Sequence, residues 1–201
     1  MRKKKWVPAF LEQEEEYLIE DLKDLKSEKP IYIEIGMGMG DFITQSAKEH
    51  PDVFYAGLER EETCVARAIR KARELELDNL RVILADAARL EELCDPSSID
   101  LIYLHFSDPW PKKRTHKRRL TYPPFLKIYE KILKKDGILI FKTDNQDFFE
   151  DSLAYLEGSA FELLEVDRNY YREGEPMTAY QARFYSEGKP INYAKYRVNK
   201  V

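Results

Sequence analysis

Ile31-Tyr-Ile-Glu-Ile-Gly-Met-Gly-Met-Gly-Asp-Phe-Ile-Thr-Gln-Ser-Ala-Lys-Glu49 reads as strand, glycine turn and helix in direct succession. A short β-type run, Ile31 to Ile35, stops at Gly36-Met-Gly38-Met-Gly40, and the segment from Asp41 to Glu49 has helical spacing with an acid in its first turn. The same alternation repeats along the chain. Strands are predicted over 53–58, 80–85, 100–106 and 137–143, with helices over 61–76, 89–93, 124–134 and 146–157. Such an alternation is the pattern of an α/β protein built on a mainly parallel sheet. Upstream, Leu11, Leu18, Leu22 and Leu25 recur among Glu, Asp and Lys, which predicts an amphipathic helix over 9–26, packed on the domain as an N-terminal extension of about 30 residues. Downstream, 161–169 and 192–199 read as strands joined by a long polar segment, which predicts an antiparallel hairpin at one sheet edge.

The chain has 201 residues, 43% of them hydrophobic and 12% aromatic. That length buries roughly 70% of the unfolded surface in one core, so a single domain over 1–201 is expected. The composition excludes global disorder, and the apolar runs at 101–104 and 138–141 are too short to cross a bilayer. Cys64 and Cys94 are the only cysteines. They offer no metal-ligand spacing, and no secretory h-region follows the N-terminal Arg2-Lys-Lys-Lys5, so a soluble protein of the reducing cytoplasm, without membrane or metal, is expected. The net charge is −4, but it is unevenly distributed. Between Pro109 and Tyr129 there is no acid, whereas Lys112, Lys113, Arg114, Lys117, Arg118, Arg119 and Lys127 are basic. A basic patch on an otherwise acidic chain suits a phosphate-bearing partner.

In open α/β sheets ligands bind beyond the carboxyl ends of the strands. Four predicted strand ends carry chemistry. At the first, glycines allow a sharp turn and close backbone approach, but the spacing is Gly-x-Gly-x-Gly with Asp41 next, not the dinucleotide Gly-x-Gly-x-x-Gly. Glu34 and Asp41 also make poor neighbours for a pyrophosphate. Glu59, 19 residues beyond Gly40, stands at the second end and can accept both ribose hydroxyls of an adenosine. Asp86 stands at the third, where a carboxylate can accept from an adenine amine. A ribose, an adenine and a sulfonium without phosphate describe S-adenosylmethionine. The fourth end closes into Phe106-Ser-Asp108-Pro-Trp110-Pro-Lys112-Lys-Arg114, an acid and a stacking face beside the basic run. His105, Cys64 and His50 read as structural residues, the last as a helix C-terminal cap.

On Ser107-Asp-Pro-Trp-Pro-Lys-Lys-Arg114, Lys117-Arg-Arg-Leu-Thr121, Phe141-Lys-Thr-Asp144 and Met177-Thr-Ala-Tyr180, the sequence resembles the bacterial tRNA (guanine-N7)-methyltransferases, over nearly the whole chain from Glu34 onward. The resemblance implies a Rossmann-like class I fold with a mostly parallel seven-stranded sheet, a C-terminal antiparallel strand and helices on both faces. It implies methyl transfer from S-adenosylmethionine to guanine N7 of tRNA, at variable-loop position 46, by a monomer or homodimer. Carried over residue by residue, it assigns Glu34, Gly36, Gly38, Glu59, Asp86 and Asp108 to the methyl donor, with Asp108 as the active-site acid. Lys112, Asp144, Thr178, Tyr180 and Gln181 correspond to substrate-binding positions, and Arg114, Lys117, Arg118 and Arg119 to RNA contacts. Two departures stand out: Gln181 replaces the Glu of the family's Thr-x-Tyr-Glu, and Thr115 replaces a His. Alternative readings are a methyltransferase for another RNA base position, since Ser107-Asp-Pro-Trp110 is also similar to the motif of amino methyltransferases, an NAD-dependent oxidoreductase, or a catalytically silent RNA-binding subunit.

Overall fold

The computed structural model describes residues 4–23, 25 and 27–200. Its core is one seven-stranded sheet: β1 (Ile31–Ile35), β2 (Phe54–Glu59), β3 (Leu80–Leu84), β4 (Ile99–His105), β5 (Leu133–Thr143), β6 (Phe161–Asp167) and β7 (Asn192–Val198), in the order β3-β2-β1-β4-β5-β7-β6. β7 runs antiparallel to both β5 and β6, and the remaining neighbours are parallel. The hairpin predicted at the edge is present, with β7 inserted between β5 and the edge strand β6.

Side chains alternate between the two faces of each strand. Ile33, Ile35, Leu104, Leu139 and Phe141 point to the face covered by α4 (Leu90–Leu93), α5 (Pro123–Ile132) and α6 (Gln146–Glu157), where Tyr129, Phe148 and Phe149 are buried. On the other face, Tyr55 and Val82 pack with Phe42 and Ile43 of α2 (Asp41–Glu49) and with Val65 and Ile69 of α3 (Glu62–Glu74). Among the described residues no helix is long and apolar enough to cross a membrane.

Two expectations are corrected. Only Val7–Leu11 forms a helix (α1) where 9–26 was expected; residues 24 and 26 of that span lie outside the described residues, as do Arg2 and Lys3 of the basic N-terminus. The segment leaves the helix because its backbone finds better partners on the edge strand: Val82 N–H donates to Tyr17 O at 2.7 Å and Ile19 N–H to Val82 O at 3.0 Å. Pairing of this kind covers an otherwise open sheet edge. The second correction lies between β6 and β7, where the polar connection contains α7 (Ala179–Ser186). Its start signal is in the sequence: Thr178-Ala-Tyr-Gln181 is a capping-box pattern, and Thr178 Oγ1 accepts from Gln181 N–H at 3.0 Å.

Candidate functional site

The carboxyl ends of β1, β2, β3 and β4 enclose a cavity of about 380 Å³. Gly36, Glu59, Asp86, Asp108 and Tyr180 line it, together with Trp110 and Arg118. Glu59 and Asp108, from strands on either side of β1, therefore face one space. The apolar part of the wall comes from Ile35, Leu58, Ala85, Leu120 and Phe125.

Each polar wall residue is held by local backbone geometry. Glu59 Oε1 accepts from the N–H groups of Arg60 at 2.9 Å and Glu61 at 3.0 Å, and Oε2 accepts from Gly38 N–H at 3.1 Å. The carboxylate thus ties the glycine turn to the end of β2. Asp86 caps a 3-10 turn, accepting from Ala88 N–H at 2.9 Å. Gly40, at φ +76°, starts α2 against α3: a Cβ there would stand 2.7 Å from Ala68 Cβ. Lys71 of α3 completes this clamp by donating to Met39 O at 2.9 Å and pairing with Asp41. Asp41 is thereby neutralised by the protein itself.

At the fourth strand end, Phe106 and Trp110 adopt positive φ (50° and 41°), which folds the Asp108 loop back over the cavity. Phe106 N–H donates to Lys142 O at 2.9 Å, and its ring is near-parallel to that of Tyr180, with centroids 6.3 Å apart. The basic run continues as a 3-10 helix, Lys113–Arg118, with Lys112, Lys113, Arg114 and Lys117 exposed. The Arg118 guanidinium lies 4.9 Å above the Trp110 ring, linking the basic run to the cavity wall.

Several predicted site residues lie elsewhere. Arg119, expected on the RNA face, is 2% exposed. Its Nε donates to Pro109 O at 2.7 Å and its Nη1 to Asp151 at 2.6 Å, so it supports the loop from beneath. Gln181 is buried at the start of α7, and its Nε2 donates to the Tyr185 hydroxyl at 2.9 Å. Thr178 is the cap described above. Lys112, in the loop after β4, and Asp144, directly after β5, are exposed and stand outside the cavity lining. Gly38 and Glu34 also stand outside the lining.

Glu34 points to the face of α2, below the cavity floor. It is 1% exposed, and Oε1 shares a hydrogen bond of 3.2 Å with His105 Nδ1. Burial pushes the Glu34 carboxyl well above the usual range, and burial with the nearby Lys142 charge pushes His105 well below its own. Both shifts favour the neutral form of each partner. Lys142, opposite His105 in the β4–β5 register, is brought down to about 8 by burial, against the opposing pull of Glu175 and Glu34. Its ammonium lies 4.5 Å over the Tyr170 ring. His105 thus packs beneath the site, as expected, and His50 closes α2.

Arg60, Cys64 and Phe106 line the cavity without having been singled out as site residues. Arg60 and Phe106 flank strand ends already identified, so the strand-end rule reaches them. Cys64 shares a helical stripe with the buried Ala68 and Ala72, but it sits in the first turn of α3, where that stripe runs past the sheet and meets the cavity.

A family described as "Putative methyltransferase" matches residues 28–194. A tRNA (guanine-N(7)-)-methyltransferase of Macrococcus caseolyticus (strain JCSC5402) is 43% identical over 203 residues, covering 96% of each chain. A protein of the same name from Bacillus subtilis (strain 168) is 38% identical over 206 residues, covering 97% of each. The structure of a SAM-dependent methyltransferase from Aquifex aeolicus shares the fold, with a TM-score of 0.60 at 13% identity over 86% of this chain and 85% of that one.

Proposed function

This chain belongs to the tRNA (guanine-N7)-methyltransferase family, and from that premise we infer that it transfers a methyl group from S-adenosylmethionine to N7 of guanine in tRNA, with the variable-loop guanine as acceptor. The observation that carries the reading is a single cavity in which the strand-end acids Glu59, Asp86 and Asp108 meet Trp110 and Arg118 of the basic run. The donor set fits S-adenosylmethionine: carboxylates for hydroxyl and amine groups beside an apolar wall for a purine.

When bound, S-adenosylmethionine supplies an electrophilic methyl group on a sulfonium. In the proposed arrangement Glu59, immobilised by three backbone N–H donors, takes the ribose hydroxyls and Asp86 the adenine amine. Gly36 lets the backbone approach, while Gly38 and Glu34 act from behind, the first through Glu59 and the second through His105. Guanine N7 is already a neutral lone pair, so no base removes a proton from it. Asp108 accepts from guanine N1–H and the exocyclic amine, orients the base and stabilises the positive charge that grows on the purine. Holding the reacting atoms in line is the protein's main contribution, worth up to ~7–11 kcal/mol in favourable systems.

N7 lies on the deep major-groove edge of A-form RNA, so the target base leaves its stack to enter the cavity. Arg114, Lys117 and Arg118 grip the flanking phosphates, with Lys112, Asp144 and Tyr180 at the rim nearest the base. Residues 1–201 act as one methyltransferase domain, in the cytoplasm, as a monomer or homodimer and without a metal.

The test is transfer of labelled methyl from S-adenosylmethionine to unmodified tRNA, with the product mapped by borohydride and aniline cleavage. Cleavage at a variable-loop guanine is the expected result; label on an exocyclic amine refutes the reading. Asp108→Asn lowers turnover about 10²–10³-fold with both substrates saturating.

A further inference from the structure

At the cavity mouth the Arg60 guanidinium stands 3.8 Å from Asp108 Oδ2. Arg60 follows β2 and Asp108 follows β4, with β1 between them, so the arginine arm crosses the end of β1 beside Gly36. The Arg60 backbone is fixed, because its N–H donates to Glu59 Oε1 at 2.9 Å. Its side chain is free to swing: the two partners are 57% and 68% exposed, and their separation is beyond hydrogen-bonding distance. A loose, solvated ion pair of this kind exchanges easily.

We propose that Arg60 is an internal stand-in for the guanine edge at Asp108, which the substrate base must displace before it can be methylated. The proposal rests on the reading in which Asp108 accepts guanine N1–H and its amine. That edge of guanine is itself a guanidine: a planar N–C–N unit with two parallel N–H donors, the same fork that an arginine offers a carboxylate. Arginine and base therefore compete for the same two oxygens. Displacing Arg60 returns the full negative charge of Asp108 to the purine that becomes cationic, and leaves a free cation at the mouth, where phosphates arrive. Adenine, with an acceptor at N1, cannot make the exchange. The pair thus sets a threshold that favours guanine over other bases.

The experiment measures tRNA dissociation constants for the wild type, Arg60→Gln, Asp108→Asn and the double variant, across a salt series, with thermal unfolding by circular dichroism as the control for an intact fold. At about 0.15 M salt, where a Debye length of about 8 Å screens distant phosphates more than the 3.8 Å pair, Arg60→Gln tightens tRNA binding by about two- to fivefold, the range open to an exposed pair. The KM for tRNA falls by the same factor. In the Asp108→Asn background the gain vanishes. Arg60→Lys, which keeps the charge but not the fork, gives a smaller gain of the same sign and carries the test if Arg60→Gln does not fold. Unchanged or weaker tRNA binding, or an equal gain in both Asp108 backgrounds, overturns the proposal. A wild-type product other than N7-methylguanine defeats the underlying reading instead, whatever Arg60 does.

Discussion

Replacing Arg119 by methionine separates a buried support from a phosphate contact. The change removes the donation from Nε to Pro109 O, the donation from Nη1 to Asp151, and a guanidinium 5.0 Å from the Phe148 ring centroid. A hydrogen bond involving a charged group contributes about 1.5–3 kcal/mol, and a buried acceptor left unpaired costs about 1–3 kcal/mol. Asp151 is 45% exposed and regains water, so its share sits at the low end. The ring contact adds roughly 0.5–1 kcal/mol, and methionine restores part of the packing. The net loss is about 2–4 kcal/mol. At about 2–4 °C per kcal/mol for a chain of this size, the Tm falls by roughly 5–15 °C. The assay is thermal unfolding by circular dichroism, run beside the salt dependence of tRNA binding for the folded variant at low temperature. The slope of log Kd against log salt stays at the wild-type value, because no phosphate contact is lost. An unchanged Tm together with a slope reduced by about one charge would refute the argument, placing Arg119 on the RNA.

Arg114→Ala with Lys117→Ala, both on the exposed face of the 3-10 helix, weakens tRNA binding and lowers the salt slope by roughly 1.4–1.8, with S-adenosylmethionine affinity as the control measured by calorimetry. Gly40→Ala forces a Cβ into Ala68 at a left-handed φ, and lowers both the Tm and methyl-donor affinity, read by calorimetry and fluorescence titration. Lys142 is held at about 8 by burial but returns to about 10.5 in the unfolded chain, so the unfolded state binds the extra proton between those values. Its destabilising contribution is full below pH 8 and is relieved as the pH rises to 10.5, and Lys142→Met should therefore stabilise the protein most at neutral pH, by a few kcal/mol on the order of the shift, and progressively less in alkali, as urea titrations at several pH values would record. A difference between variant and wild type that does not shrink with rising pH contradicts this.

How far the site was legible depends on the residue. Glu59 closes β2, and Asp86 and Asp108 follow β3 and β4; these strands have strong period-2 or continuous apolar character, and the strand-end rule places the three acids on one rim from the sequence. Glu34 fails the same rule because it is the penultimate residue of its strand, neither its last residue nor one beyond it. Its side chain takes the α2 face, where His105 and Lys142 wait at neighbouring register positions. Arg119 belongs to an unbroken basic run, and nothing in its immediate neighbours separates it from Arg118. What separates them is Asp151, 32 residues later on α6. The Leu11 to Leu25 pattern has helical spacing, yet edge pairing with Val82 outweighs it, since helix propensity amounts to only a few tenths of a kcal/mol per residue.

The amino-acid order alone determined the alternation of strands and helices, the glycine turn after β1 and the rim on which the acids gather. These follow from steric and hydrophobic rules that act within a few residues. Tertiary packing decided which polar side chains face the cavity, which ones pair beneath it, and where the N-terminal segment lies. A buried polar group must find its partner wherever the folded chain brings one, and that partner stands tens of residues away: Asp151 for Arg119, His105 for Glu34, Val82 for the backbone around Leu18.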